Sequence, residues 1–243
     1  MCSSDLTNAV AGGSVSSGLT NAGTVFVSAT TFLTGPVTNT GAMFFQGAIS
    51  NNLVNSGSIT LNNAGADGGS INVRTSGFSQ HNIFAGTNSG PAADIAINVT
   101  QVGGNLTINA LPASKATISL SAPDGQVITN SNVDTIGGLA FSAQSLNVNR
   151  PISTQQGDIT LTGSSVTIGS NVSAGTTGIG NLVVNATGGD VRLTSAAVAR
   201  APGDAIILKA TGNIDSQSRL EAENLDLTAG GTINALKIGR GHV

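Results

Sequence analysis

Three aspartates, each directly preceded by glycine, are the residues of this chain that could most readily do acid–base chemistry or bind a cation. They are Asp158, Asp190 and Asp204. A pair of carboxylates that flank a cleft can hydrolyse a glycosidic bond. However, no Lys, Arg or His partner recurs beside these aspartates, and aspartate in a turn commonly accepts hydrogen bonds from backbone N–H groups. We therefore expect the three aspartates to be structural residues at strand entrances.

The other candidates for chemistry are a short acidic cluster and one histidine. The cluster comprises Glu221, Glu223 and Asp226, and acidic residues this close together are more often part of a solvated face than a catalytic pair. His81 has no second His, Ser or Cys in a recognisable nucleophile or zinc arrangement. The phosphate-binding, dinucleotide-binding, hydrolase and calcium-loop motifs are also missing. We expect a protein without catalysis, cofactor or bound metal.

The elements that carry these residues are short strands. Residues 157–174 read GDITLTGSSVTIGSNVSA, in which apolar residues alternate with Ser, Thr or Asp and each run ends at Gly, Ser or Asn. This alternation predicts three strands, each with one buried face, within this single short stretch. No room is left for helices between them. Similar runs recur along most of the chain, so this stretch is expected to be one turn of a coil.

An Asn-x-Gly motif marks successive coils in the first part of the chain. It begins at Asn21, Asn39 and Asn55, and each copy precedes a short apolar or alternating run. The two steps between copies are nearly equal, which is typical of a solenoid with one coil per repeat. Asn and Gly tolerate positive φ, so the motif can turn one strand into the next. If the three asparagines share one corner, their amides can form a hydrogen-bonded ladder along the rod.

The composition excludes several classes of protein. Charged residues make up 9% of the chain and the net charge is −3, so a basic patch for nucleic acid is not expected. Trp and Tyr are absent and Phe is sparse, which leaves few stacking platforms for bases or sugars. No apolar run approaches the roughly 20 residues of a membrane-spanning helix. Hydrophobic residues at 39%, in regular alternation, argue against disorder.

These observations predict an all-β, right-handed parallel β-helix with coils of about 16–24 residues and two strand-forming faces. The alternative with similar strand spacing is an antiparallel sandwich or barrel. We divide the chain into one solenoid over 7–237, with Asn-x-Gly coils over 7–63, a lateral loop over 77–91 and regular coils over 92–236. The segment 218–224 could form one short helical turn.

The two ends and the lateral loop have separate interpretations. Residues 1–6 (MCSSDL) and 238–243 (IGRGHV) resemble translated sequencing adapters, and we expect them to be foreign to an internal fragment of a longer protein. The loop is the expected position of a binding feature, because function tends to lie on loops. Its candidate residues are Phe78, His81 and Phe84.

The Asn-x-Gly repeats, the GDITL, GDVRL and GNIDS openings and the LNVNRPIS phrase resemble the shaft of filamentous-haemagglutinin-type exoproteins, and large autotransporter passengers are similar. The resemblance covers nearly all of 7–237 and rests on repeat style. It implies a secreted rod on the bacterial surface that attaches to host or bacterial glycans or proteins, and an outer-membrane transporter as secretion partner. The alternatives are a polysaccharide-active β-helix lyase or hydrolase and a phage or cell-wall structural protein.

The expected amide ladder can be tested by one substitution. Asn39→Ala is expected to lower the melting temperature more than the substitution of an exposed strand threonine, because it removes the hydrogen-bond partner of both neighbouring asparagines. Equal melting temperatures of the two variants would contradict the ladder.

Overall fold

All elements of the described chain are β-strands. The structure is a computed structural model that describes residues 8–10, 13–15, 19–27, 31–33, 37–39, 42–45, 48–49, 53–55, 58–61, 69–76, 83–85, 95–102, 104–108, 115 and 117–239. The strands are β1 (Asn8–Val10), β2 (Gly13–Val15), β3 (Leu19–Asn21), β4 (Thr24–Val27), β5 (Thr31–Leu33), β6 (Val37–Asn39), β7 (Ala42–Phe45), β8 (Ala48–Ile49), β9 (Leu53–Asn55), β10 (Ser58–Leu61), β11 (Gly69–Ser76), β12 (Ile83–Ala85), β13 (Ile95–Val102), β14 (Leu106–Ile108), β15 (Ile118–Thr129), β16 (Val133–Thr135), β17 (Leu139–Val148), β18 (Ile152–Thr154), β19 (Ile159–Ile168), β20 (Val172–Ser173), β21 (Leu182–Ala186), β22 (Val191–Leu193), β23 (Val198–Ala210), β24 (Ile214–Ala229) and β25 (Ile233–Gly239).

Each coil has three faces, which are clearest in the third coil of the regular part. Residues 159–163 of β19 form face 1, residues 165–168 of the same strand form face 2, and β20 forms face 3. Each face pairs in parallel with the same face of the coils before and after it. A parallel ladder between successive turns, without helical crossovers, defines a parallel β-solenoid.

The region from residue 118 to residue 239 contains about six such coils. Along face 1 the same register position recurs once per coil, at Ile118, Leu139, Ile159, Leu182, Ile206 and Leu225. Inward positions are mostly aliphatic and outward positions are mostly Ser, Thr, Asn or charged, as β19 shows with its buried residues alternating with half-buried or exposed ones. The sequence alternation therefore maps directly onto the inside and the outside of the coil.

The amino-terminal coils follow the same plan with shorter turns. Strands β3, β6 and β9 pair in parallel with the Asn-x-Gly spacing, and β9 pairs with β11, which joins them to face 1. Strands β1, β4, β7, β10 and β12 form a second sheet, and β2, β5 and β8 form a third. In chain order these two sheets take the places of face 2 and face 3.

One column of register positions runs through face 1 from the first coil to the last, and Leu, Val or Phe occupies it every time. Its members are Leu19, Val37, Leu53, Val73, Val99, Leu120, Phe141, Leu161, Val184, Leu208 and Leu227. A single coil is too thin to bury these residues. Because each coil covers the one below, stacking supplies the core that no coil has alone. Leu120, Leu161, Val184 and Leu208 are almost completely buried.

The predicted fold class is confirmed, since the strand pairs of the described coils are parallel and the antiparallel alternative fails. Two details of the prediction were wrong. The coil has three faces, as the three runs in 157–174 predicted, and the expectation of two strand-forming faces was wrong because face 3 strands such as β20 are too short to show alternation. The predicted helical turn over 218–224 is part of β24, which is held in register with β23. The right-handed sense of the coil stays a prediction.

The predicted boundaries can be placed on this fold. The step from Val73 to Val99 is longer than the upper limit that the sequence predicted for one coil. Strand β25 reaches Gly239, and so enters the carboxyl-terminal segment that resembles an adapter, while residues 1–6 lie outside the described part. Among the described residues, no helix is long and apolar enough to cross a membrane.

Candidate functional site

Apart from the pair that ends in Asp204, the Gly-Asp and Gly-Asn pairs lie at the corners of the coil, where their side chains accept hydrogen bonds from the next coil. At the entrance to face 1, Asp158 Oδ1 accepts bonds from the backbone N–H of Asn181 at 2.8 Å and from its amide Nδ2 at 3.2 Å. Asn181 Oδ1 in turn accepts a bond from the backbone N–H of Ala205 at 3.2 Å. Three successive coils are linked by these bonds.

A second ladder of the same kind stands at the entrance to face 2. Asp190 Oδ1 accepts bonds from the backbone N–H of Asn213 at 2.6 Å and from its Nδ2 at 3.3 Å. Asn213 Oδ1 then accepts a bond from the backbone N–H of Thr232 at 2.8 Å. We call these two rows the Asx ladders: Asp158–Asn181–Ala205 and Asp190–Asn213–Thr232.

The same device appears singly at two other corners. Asn105 Oδ1 accepts a bond from the backbone N–H of Gln126 at 2.9 Å, and Asn171 Oδ1 accepts one from the backbone N–H of Val198 at 3.0 Å. In all these cases the acceptor is a side-chain oxygen and the donor is a backbone N–H one coil later. The corner residues therefore close the gaps between strands, where the regular ladder of backbone hydrogen bonds is interrupted.

The glycine that precedes each ladder asparagine permits the close approach of two coils. A β-carbon on Gly180 would collide with the carbonyl oxygen of Gly157, and one on Gly212 would collide with Oδ1 of Asp190. The Gly-Asn pairs thus have two parts with separate tasks. Glycine lets the backbone come near the coil below, and asparagine then extends the ladder to the coil above.

The three aspartates do not form one acidic line along the rod. Asp158 lies in register before face 1 and Asp190 before face 2. Asp204 lies one residue before the ladder position that Ala205 occupies, and among the described residues it accepts no cross-coil bond of this kind. The two ladder aspartates act as hydrogen-bond acceptors, and no arrangement of paired acids across a cleft results.

The acidic cluster of the sequence forms ion pairs on face 3. Glu221 lies between two arginines, with Oε2 2.9 Å from Arg200 Nε and Oε1 2.8 Å from Arg219 Nε. Asp226 lies on face 1, in register with Ile207, so it is separated from this cluster. Ion pairs whose arginines are about half exposed to water contribute little to stability. They show that the charge of Glu221 is balanced by its neighbours.

The asparagines of the first coils occupy one row of the structure. Asn21, Asn39 and Asn55 are register partners at the ends of β3, β6 and β9. Asn21 is only 8% exposed, and its amide bonds the backbone N–H and carbonyl oxygen of Gly23, both at 3.2 Å. The side chain thereby closes the Asn-x-Gly corner locally. The ladder of amides between coils stays a prediction.

The predicted binding loop is only partly described. Phe84 lies in β12, which pairs with β10 in register with Thr60, so this residue belongs to a strand and not to a loop. The short apolar run from Ile83 to Ala85 is long enough to continue the sheet for one more coil. Phe78 and His81 lie outside the described residues.

A projecting corner that the sequence did not reveal lies between face 3 and face 1. It covers 174–181 and is fixed by bonds from Thr176 N–H to the Thr154 carbonyl at 2.9 Å and from Gly157 N–H to the Ile179 carbonyl at 2.8 Å. The side chain of Ile179 is 72% exposed. The only sign of this corner in the sequence is that the segment between the two strands is longer here than in the neighbouring coils.

A surface groove of about 400 Å³ lies at the same corner in the preceding coils and is lined by Lys115, Ile136, Gly137, Gly138, Gln156 and Gly157. No carboxylate, histidine or cysteine is among these lining residues. Within the described part of the chain, no three His, Cys, Asp or Glu residues are grouped so that they could hold a metal ion. The groove can offer hydrogen bonds and one positive charge to a ligand.

Substitutions of Asp190 can separate its role as a hydrogen-bond acceptor from the effect of its charge. Asp190→Ala is expected to lower the free energy of unfolding by about 1 kcal/mol, because Asn213 loses its acceptor. Asp190→Asn keeps the oxygen and should stay within about 0.5 kcal/mol of the parent. Asp204→Ala is the matched control, with an expected change of less than about 0.5 kcal/mol. Urea unfolding of the three variants checks this, and an equal loss in Asp190→Asn and Asp190→Ala would contradict it.

The close approach at the ladder glycines gives a second test. Gly212→Ala is expected to lower the free energy of unfolding by about 1–3 kcal/mol, because its β-carbon meets the coil below. At Gly203 the nearest atom to a new β-carbon is the Gly178 carbonyl oxygen at 3.4 Å, an ordinary contact. Gly203→Ala should therefore be neutral or slightly stabilising. If thermal unfolding gave both variants the same melting temperature, the close approach would not be the reason for glycine at 212.

No model of a known protein family matches this chain, and no curated protein or solved structure matches it either.

Proposed function

We propose that this chain is a section of the shaft of a large secreted bacterial surface adhesin, and that it attaches to surfaces without catalysing a reaction. The observation that carries the proposal is the continuous face 1 column, which passes from Leu19 to Leu227 without a break. At about 4.8 Å per coil, this column spans roughly 48 Å. Length is the property that such a stack provides.

The corner chemistry supports a scaffold over an enzyme. Asp158 and Asp190 are each occupied with two hydrogen bonds from the following coil, and Glu221 is paired with two arginines. A glycoside hydrolase or lyase requires acids that face a substrate across a cleft. The polysaccharide-active enzyme is therefore the alternative that the test below must exclude.

The resemblance to filamentous-haemagglutinin-type exoproteins supports the location and the partners that we propose. They are the outer surface of a bacterium, an outer-membrane transporter for secretion, and glycans or proteins of host or bacterial surfaces as attachment sites. The outer faces carry many similar polar side chains in successive coils, which suits many weak contacts at once. Multivalent attachment gains strength from effective concentration and needs no single strong site.

Beads coated with the purified chain test this proposal. Densely coated beads are expected to adhere to epithelial cells or bacteria, and sparsely coated beads are expected to detach, because attachment depends on the number of simultaneous contacts. Beads coated with an unrelated protein of similar charge are the control. Adhesion that does not depend on coating density, or no adhesion to either cell type, would contradict the proposal.

The enzyme alternative is tested on the same preparation. Incubation with pectin, alginate and xylan is expected to release neither reducing ends nor unsaturated uronates. Product that disappears in Asp158→Asn or Asp190→Asn would establish the alternative. A phage or cell-wall structural protein would instead give no adhesion and no product.

A further inference from the structure

The amino-terminal coils carry a row of phenylalanines at one register position of their second sheet. Phe26 and Phe44 are register partners, Phe44 pairs with Thr60, and Thr60 pairs with Phe84. We call these four positions the aromatic column. It contains three of the seven Phe residues of a chain that has no Trp or Tyr.

Phe26 is the member of the column whose side chain the structure describes, and it lies on the outer surface of its sheet. Phe26 is 42% exposed, whereas its neighbour Val25 is 2% exposed. Successive residues of a strand face opposite sides of the sheet, and register partners of a parallel ladder share one side. Phe44, Thr60 and Phe84 therefore occupy the register column of an outward residue.

The sequence around Phe26, Phe44 and Thr60 is uncharged over a long distance. Between Asp5 and Asp67 the sequence contains no Asp, Glu, Lys, Arg or His. A second register column of the same sheet holds Thr24, Ala42 and Ser58. An anionic partner such as nucleic acid or an acidic polysaccharide would require cations at the contact surface. The absence of charged residues from this stretch favours a neutral partner.

The area of the sheet limits the size and shape of the partner that it can bind. Five short strands at about 4.8 Å spacing give a face on the order of 300 Å². A stable contact with a second copy of the chain would bury about 800 Å² on each side. The face is too small for a second copy and has the proportions of one extended polymer chain lying along the rod.

We propose that the aromatic column, which brings Phe26, Phe44 and Phe84 to one register position of successive coils, binds an uncharged polysaccharide that lies along the rod. Pyranose rings have an apolar C–H face and a hydroxyl rim, and a register column of Phe and Thr supplies residue types suited to both. This site rests on the proposed attachment function and deepens it by naming the class of ligand. It can be tested in solution, without cells, so that its failure and the failure of the adhesin proposal are distinguishable.

Affinity gel electrophoresis of the full chain tests the site. The gels contain hydroxyethylcellulose, xyloglucan, galactomannan or dextran as neutral polymers, and polygalacturonate or heparin as anionic ones. At least one neutral polymer is expected to retard the parent chain, to the same extent at low and at high salt, because no ion pair is involved. The double variant F26T/F44T is expected to lose roughly tenfold in affinity. Threonine is chosen because it favours strands.

Ile179→Thr is the matched control, since it removes a 72% exposed apolar side chain outside the column and should leave the retardation unchanged. Circular dichroism and melting temperature confirm that each variant is folded. Retardation by none of the four neutral polymers, by the anionic polymers alone, or to the same degree for F26T/F44T as for the parent would overturn the site. A parent dimer that F26T/F44T converts to a monomer, without binding to any polymer, would overturn it in favour of a second copy.

Discussion

The structure depends on one constraint: no coil can bury its own apolar side chains, so each coil must lie directly on another. Parallel backbone hydrogen bonds fix the distance between coils, and the inward Leu, Val and Phe of face 1 fill the space that this distance leaves. The energy of folding is therefore shared between neighbours along the rod. This arrangement produces a long, uniform rod, in which Leu, Val or Phe occupies each position of the face 1 column.

Hydrogen bonds at the corners hold the coils of this charge-poor chain in one register. Strands on one face are aligned by the regular backbone ladder, but the ladder is interrupted wherever the chain turns. At these points Asp158, Asn181, Asp190 and Asn213 supply a side-chain oxygen to the next coil. A one-residue slip would break these bonds and would move every inward side chain to the outside. Two of the aspartates that were candidates for acid–base chemistry or cation binding, Asp158 and Asp190, thus help to hold the coils in register.

Much of the fold could be predicted from the sequence because the period-two alternation is strong on two faces. The runs at 146–148, 159–161 and 182–184 are all strands, and the Asn-x-Gly spacing matches the length of the first coils. Face 3 was predicted only within 157–174, because its strands are too short for alternation to appear in the other coils. Where the repeat spacing is nearly constant, as at Asn21, Asn39 and Asn55, the sequence predicts which residues share a column. The later coils differ in length, so the Asx ladders could not be assembled from sequence alone, although their glycine and asparagine components were recognised.

Spin-label distances along one outward column of face 1 test the stacking most directly. Ser121 is linked by successive register partners to Ser142, Thr162, Asn185, Lys209 and Thr228. In a Cys2→Ser background, cysteine pairs that join position 121 to 185, 209 and 228 carry the labels, and electron–electron double resonance measures the distances. Directly stacked coils predict Cα separations of about 14, 19 and 24 Å, a constant increase of about 4.8 Å per coil. Distances that do not increase with the number of intervening coils would contradict it.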